Sequence, residues 1–241
     1  MIVFLIPLKA PQVCDNWEHV QGLAFKTIHS ILNQTSQNFH IILVCNEFPD
    51  FKHEKLTIIR ENFPIPTNLE EGFTDKYYKL KRGMIEMYKF APCYLMRIDA
   101  DDLISNHLLK FVDKNEGPGW LIRRGYKYSP GKDYVIKSRN INDLCGSTNI
   151  IFVKKDEALE SSDSPTENCH AINAGHHKIE ALYQSLNRPL SDIPFPAVIY
   201  TMAHGNNLCA HELTYQSRKA KLIDFWNKRK ISTKIKKEFG L

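Results

Sequence analysis

Apolar residues follow two rhythms along this chain. Ile2 to Leu8 is an almost unbroken apolar run containing Pro7, which predicts a buried strand. From Glu18 to Gln34 the residues Val20, Leu23, Ala24, Ile28, Ile31 and Leu32 fall at helical spacing, and His40 to Cys45 returns to an apolar, β-branched run of strand length. Strand, helix and strand in this order predict a right-handed crossover and a parallel sheet. Lys55 to Arg60 reads as a third strand, and Pro64 to Gly72 as a loop rich in breakers. The next helix is expected from Asp75 to Tyr88. Tyr77, Leu80, Met84, Met87 and Tyr88 share one face of it, and Lys76, Lys79, Lys81 and Arg82 supply cations around its first turns. Cys93 to Ile98 is then a buried strand running into Asp99, Asp101 and Asp102.

Beyond Ser105, expected to cap a helix through Val112, the rhythm shortens. Residues 120–123, 126–128, 134–137 and 147–153 read as short strands separated by Gly, Pro and Asn, the pattern of a mixed sheet or hairpin insertion. The polar stretch from Glu160 to Asn168 has turn-forming composition and is expected to be a mobile loop. His176 to Leu186 reads as a helix, Ala197 to Met202 as a last strand leading into His204-Gly205-Asn206-Asn207, and basic helices follow.

Composition narrows the class. With 241 residues and 43% hydrophobic content the chain can bury a substantial core. The apolar start falls well short of the ~20 residues a membrane span requires, and it lacks the basic start and cleavage site of a signal peptide. The expectation is a cytoplasmic protein. Six cysteines without a CxxC pair fit reduced, structural thiols. The net charge of +5 is concentrated late, where Arg218, Lys219, Lys221, Lys228, Arg229, Lys230, Lys234, Lys236 and Lys237 alternate with apolar residues. This pattern suits either peripheral contact with an anionic membrane or a solvated terminal helix. No aromatic and basic recognition motif accompanies the charge, so nucleic acid is not expected as a partner.

The Asp cluster carries the chemistry. Carboxylates this dense repel one another unless a cation or solvent relieves them. An Asp-x-Asp at a strand end offers hard oxygen ligands to Mg²⁺ or Mn²⁺, ions that complete their shells with water and substrate phosphates. The plainer alternative is that Asp101 and Asp102 open the next helix, whose dipole favours acidic residues.

On these elements the chain resembles glycosyltransferases of the GT-A fold, closest in style to the inverting family 2. The resemblance spans about residues 1 to 210 and rests on IPLKAP at 6–11, VCNE at 44–47, DKYYKLKRGM at 75–84, IDADD at 98–102, CGSTNIIF at 145–152 and HGNN at 204–207. It implies an α/β fold with a mostly parallel, Rossmann-like central sheet flanked by helices, a small mixed acceptor-side sheet and a C-terminal helical tail. It further implies a nucleotide-sugar-binding half at 1–112, an acceptor-side half at 113–210, and a basic extension at 211–241. The activity implied is transfer of a sugar, a hexose in an inverting reaction, from a nucleotide-diphosphate donor to a glycan or lipid-linked hydroxyl acceptor, in the setting of polysaccharide biosynthesis. By the same resemblance Pro7 and Lys9 flank the nucleotide and Asn46 or Glu47 reads the base. Asp75 meets a sugar or ribose hydroxyl, Lys79 and Arg82 reach the phosphates, and Asp99 contacts the ribose or shares the metal. Asp101 and His204 complete the metal set, and imidazole beside carboxylates tilts preference toward Mn²⁺.

The family's usual Glu-Asp pair at the late helix is absent; the chain reads NAGHHKIEAL at 173–182. His177, Glu180 and Asp163 are therefore candidates for the general base, with His176 and Glu167 beside them. The alternatives are a noncatalytic sugar-nucleotide binder of the same fold, a nucleotidyltransferase and a zinc hydrolase. A nucleotidyltransferase normally has a Gly-rich loop after its first strand, where this chain reads LKAPQVCDNW. Zinc would draw on Cys169, His170, His176, His177, Cys209 and His211, whose spacing matches no ligand pattern.

Overall fold

The computed structural model describes residues 1–202 and 218–241. Strand β1 (Ile2–Pro7) lies in the interior of a seven-stranded sheet. β2 (Phe39–Cys45) and then β3 (Leu56–Arg60) follow on one side, and β4 (Cys93–Arg97) on the other, all four parallel. Beyond β4 the sheet continues through β9 (Asn149–Val153) and β6 (Gly119–Leu121), each antiparallel to its predecessor, to the short β10 (Ser191–Asp192), parallel to β6.

The period-two alternation of β1 sends its side chains to two cores. Ile2, Phe4 and Ile6 pack with Val20, Ala24, Ile28 and Ile31 of α1 (Trp17–Leu32), whose first turn is capped by the Asn16 side chain. Val3 and Leu5 pack on the opposite face with Leu80, Met84 and Met87 of α2 (Leu69–Met87). Covering both faces explains why β1, β2 and β4 are nearly continuous apolar runs.

α2 starts six residues before the expected Asp75. The Asn68 side chain accepts the Glu71 N–H, and the Glu71 carboxylate accepts from the Thr67 N–H and hydroxyl, so the orphan donors of the first turn are satisfied within the stretch expected to be a loop. The helix expected from His176 is shorter than anticipated. A 3-10 turn over His176–Lys178 precedes α5 (Ile179–Ser185), after the single-turn α4 (His170–Asn173).

A second, mixed sheet stands beside the first. Its order is β12 (Lys228–Lys230), β8 (Tyr134–Ser138), β7 (Gly125–Tyr128), β11 (Val198–Thr201) and β5 (Leu103–Ile104). The chain is thus the expected α/β architecture of a mostly parallel central sheet with a smaller mixed sheet and a C-terminal helical segment. His107, not Ser105, is the N-cap of the following helix, α3 (Leu108–Val112), and the Ser105 Oγ accepts the His107 N–H just ahead of it. The Ser105 hydroxyl also donates to Glu238 of the terminal helix α7 (Thr233–Phe239), while Phe239 is buried against Leu103 and Ile199. Between them, α6 (Arg218–Trp226) leads into β12.

β6 begins at Gly119 with φ +148, where an added Cβ would lie 2.2 Å from the Ile150 carbonyl oxygen on β9. Both the backbone conformation and a contact with backbone that cannot move aside exclude a side chain. Gly119→Ala should lower the unfolding free energy by about 3 kcal/mol, read as a reduced urea midpoint at unchanged slope.

Candidate functional site

Because β2 and β3 extend the sheet on one side of β1 and β4 on the other, the carboxyl ends of β1 and β4 form a topological switch point, where open α/β sheets bind ligands. A cleft of about 710 Å³ opens there. Pro7, Leu8 and Lys9 line it from the end of β1, and Gln12 and Val13 from the following turn. α2 contributes Leu69, Phe73, Asp75, Lys76 and Lys79, and the segment after β4 contributes Asp99, Ala100 and Asp101. Gly146, His176 and Tyr200 of β11 complete the far side.

The three aspartates have separate fates. The backbone ladder continues past β4, with the Ile98 N–H on the Leu5 carbonyl, and the Asp102 N–H closes a turn onto the Asp99 carbonyl. That turn directs Asp99 and Asp101 into the cleft and Asp102 into the interior, where it is fully buried. Asp102 accepts the Ser147 hydroxyl at 2.6 Å, the Cys145 thiol at 3.1 Å and the Thr201 N–H at 3.2 Å. Burial, reinforced by the nearby Asp101 and Asp99, pushes its pKa well above the usual carboxylate range. Burial also raises the pKa of the adjacent Cys145 thiol, with Asp102 adding to the effect.

Asp99 sits between Lys76, whose ammonium is 2.5 Å from Oδ1, and Gly146, where a Cβ would come within 2.8 Å of Oδ2. Its own N–H donates to Ser147 Oγ. Burial opposes its ionisation, but Lys76, helped by His176 and Arg97, outweighs it and holds the carboxyl below its ordinary range. Burial likewise works against the Lys76 charge, and Asp99 overrides it, so the Lys76 pKa is raised. Both partners are about one-third exposed, at 33% and 32%, and the pair faces the cleft.

One turn along α2, Lys79 and Asp75 form an i,i+4 pair at 2.7 Å with side chains only 1% and 7% exposed. Burial lowers the Lys79 pKa despite Asp75. Asp75 Oδ1 has no hydrogen-bond partner among the described residues. His176, across the cleft, also has an unpartnered Nε2. Burial lowers its pKa, with Asp99 opposing, so the neutral imidazole is favoured.

The cleft therefore gathers Pro7, Lys9, Asp75, Lys79, Asp99, Asp101 and His176 from the residues expected on sequence. Others lie elsewhere. Asn46 uses its side-chain N–H₂ on the Phe63 carbonyl, and Glu47 is exposed at the end of β2; neither lines the cleft. Arg82 pairs with Glu61. Glu180 binds Arg123, which also holds Asp192. Asp163 is exposed in a turn that the Lys81 ammonium ties to α2 through the Ser162 carbonyl, and His177 is exposed beside His176. His204 lies outside the described residues. Lys76, Gln12, Phe73 and Tyr200 line the cleft without having been assigned to it on sequence. Lys76 was discoverable, since it lies three residues before Lys79 on the same helix.

Among the described residues no three His, Cys, Asp or Glu side chains cluster as a metal site. Asp99 and Asp101 still provide two hard oxygen donors in one cleft, the number Mg²⁺-type sites take from protein when substrate phosphates supply the rest. The five described cysteines are free.

No family model and no curated protein sequence matches the chain. Among solved structures, 4-diphosphocytidyl-2C-methyl-D-erythritol synthase aligns at TM-score 0.41 and 10% identity, covering 93% of this chain and 98% of that one. The galactosyltransferase LgtC, in complex with donor and acceptor sugar analogues, aligns at TM-score 0.39 and 10% identity over 99% and 100%. Likenesses at this level leave the chemistry to the chain's own residues.

Asp102→Ala strands the Ser147 hydroxyl and the Thr201 N–H and should cost about 3 kcal/mol of stability. Asp102→Asn, neutral and nearly isosteric, should cost at most about 1.5 kcal/mol. Urea unfolding at pH 7 separates the two; equal losses would show that a buried negative charge is required.

Proposed function

We propose that the chain is a divalent-metal-dependent glycosyltransferase acting on a nucleotide-diphosphate sugar and a hydroxyl acceptor belonging to a glycan or lipid-linked glycan. The observation that supports this most is the convergence of Asp99 and Asp101 with Lys76, Lys79 and Lys9 at the switch point of the sheet. A nucleoside diphosphate leaves readily only when its growing negative charge is met, and acidic metal ligands ringed by ammonium groups are suited to that task. Asp99 and Asp101 would hold Mn²⁺ or Mg²⁺, with His204 as a further ligand. The cation would supply electrostatic stabilisation of the leaving diphosphate.

The chain's own residues supply the rest. Lys76 and Lys9 face the phosphates, while the apolar wall of Leu8, Val13, Val20 and Leu23 excludes water from the donor. Asp75 presents a carboxylate to a ribose or sugar hydroxyl. His176 takes the proton from the acceptor hydroxyl, a role that suits an imidazole kept neutral by burial. The loop after β1 has no glycine and closes into a 3-10 turn at Pro11–Val13, a form unlike the Gly-rich phosphate loop of a nucleotidyltransferase.

Two measurements test this reading. One of UDP, GDP, CDP or dTDP should raise the melting temperature by about 5 °C or more at saturating ligand, only with Mn²⁺ or Mg²⁺ present. Asp101→Ala should abolish that shift while its own unliganded melting temperature stays near the parent value. A full shift in Asp101→Ala, or none with any nucleotide in the parent, removes the metal-bound diphosphate. In turnover assays His176→Ala should lower kcat by about 100-fold or more at unchanged donor affinity; an unaltered kcat would take His176 out of the proton transfer.

A further inference from the structure

The strongest feature outside the cleft is at the opposite edge of the second sheet. Leu222, Phe225 and Trp226 of α6 lie at i, i+3 and i+4 and so form one stripe, with Ile223 beside it. These four side chains are 60%, 62%, 72% and 50% exposed, respectively. Single exposed apolar residues need no explanation, but a contiguous stripe on one helix does.

The stripe is held outward by its own anchoring. Asp224, about 200° around the helix from Leu222, receives two bonds from the Lys127 ammonium on β7, at 2.5 and 2.6 Å. The Asn227 carbonyl accepts the Lys137 N–H, and β12 then pairs with β8. One side of α6 is thus fixed to the sheet and the other is presented to the surroundings.

The charge beside the stripe selects the partner. Lys228, Arg229 and Lys230 are exposed on the edge strand that follows Trp226, and the Lys228 ammonium lies 5.5 Å from the Phe225 ring centroid. From Arg218 onward the sequence carries nine Lys and Arg against two acids, Asp224 and Glu238, of which Asp224 pairs with Lys127 and Glu238 accepts from Ser105. Basic residues on an edge strand would by themselves be accounted for as protection against strand pairing. That role does not call for a Trp and a Phe extended next to them. A second copy of this surface would bring cations against cations. Aromatic and aliphatic side chains beside exposed Lys and Arg match the interfacial zone of a bilayer with acidic headgroups.

We propose that α6 and β12 form a docking surface for an anionic lipid bilayer. The proposal does not rest on the chemistry of the cleft. No helix among the described residues is long and apolar enough to cross a membrane, so the contact is peripheral.

Flotation of the full chain with phosphatidylcholine vesicles, and with vesicles containing about 30 mol% phosphatidylglycerol, tests it. Binding is expected to the anionic vesicles and to weaken as salt screens the charge. Phe225→Ser with Trp226→Ser should weaken binding about tenfold or more. Lys228→Glu, Arg229→Glu and Lys230→Glu together should weaken it about one hundredfold, near fivefold per cation. Circular dichroism and melting temperature, expected to be unchanged, check that each variant folds. In the parent, the emission attributable to Trp226, isolated by comparison with Trp226→Phe, should shift to the blue on addition of anionic vesicles only. Equal binding by parent and folded variants, or no binding by the parent, overturns the proposal. Self-association that these substitutions abolish, without vesicle binding, would also overturn it and make the stripe an interface between copies of the chain.

Discussion

The buried Asp102 carboxyl is the constraint on which the arrangement depends. It joins three parts of the chain that are distant in sequence: the turn after β4, the Cys145–Ser147 approach to β9, and Thr201 at the end of β11. Two of these belong to the large sheet and one to the small sheet, so a single side chain ties the sheets together at the edge of the cleft. Burial, with Asp101 and Asp99 nearby, raises its pKa, while the Ser147 and Cys145 hydrogen bonds work the other way. Ser147 extends the constraint. Its hydroxyl donates to Asp102 while its oxygen accepts the Asp99 N–H, so the residue that orders the interior also fixes the backbone of the cleft aspartate.

α2 carries the balancing charge. Lys76 and Lys79 are less than one turn apart, yet they serve different layers: Lys76 meets Asp99 across the cleft, and Lys79 is buried on Asp75 of its own helix. The early helix start matters here. The Thr67–Asn68–Glu71 cap places Leu69 and Phe73 on the rim of the cleft and sets the register in which Asp75, Lys76 and Lys79 face inward. Gly83 lies on the same helix, where a Cβ would approach within 2.1 Å of Leu5 Cδ1, and its absence lets α2 seat closely on β1.

The parallel strands could be read from sequence because burial on both faces leaves a continuous apolar signature. α1 was similarly clear from its 3.6-residue period. The start of α2 was hidden by Pro64, Pro66 and Gly72, which signal a loop, although Asn68 followed by Glu71 is a capping pattern in plain view. β12 is three exposed basic residues with no alternation, and only its pairing with β8 makes it a strand. The aspartates show the limit most clearly. Their spacing marks a site, but which of the three turns inward is decided by Ser147, Cys145 and Thr201, all more than 40 residues later. His176 and Glu180 are alike as candidates on sequence. Packing alone sends one to the cleft and the other to Arg123 on the surface.

The two oxygens of Asp99 have different surroundings, and under the proposed function that difference gives Lys76 two partners. Oδ1 carries the Lys76 ammonium, which offsets the carboxylate charge at the cleft wall. Oδ2 faces Gly146, where a side chain would intrude to 2.8 Å and glycine leaves the space open. Asp99 and Asp101 would together hold the divalent cation, which would supply charge stabilisation for the leaving diphosphate. Lys76 lines the same cleft from α2, so its ammonium would be placed to turn from Asp99 to the phosphates of a bound donor. A compact ammonium on a flexible four-carbon stem suits such a change of partner better than a planar guanidinium held in a two-pronged carboxylate pair.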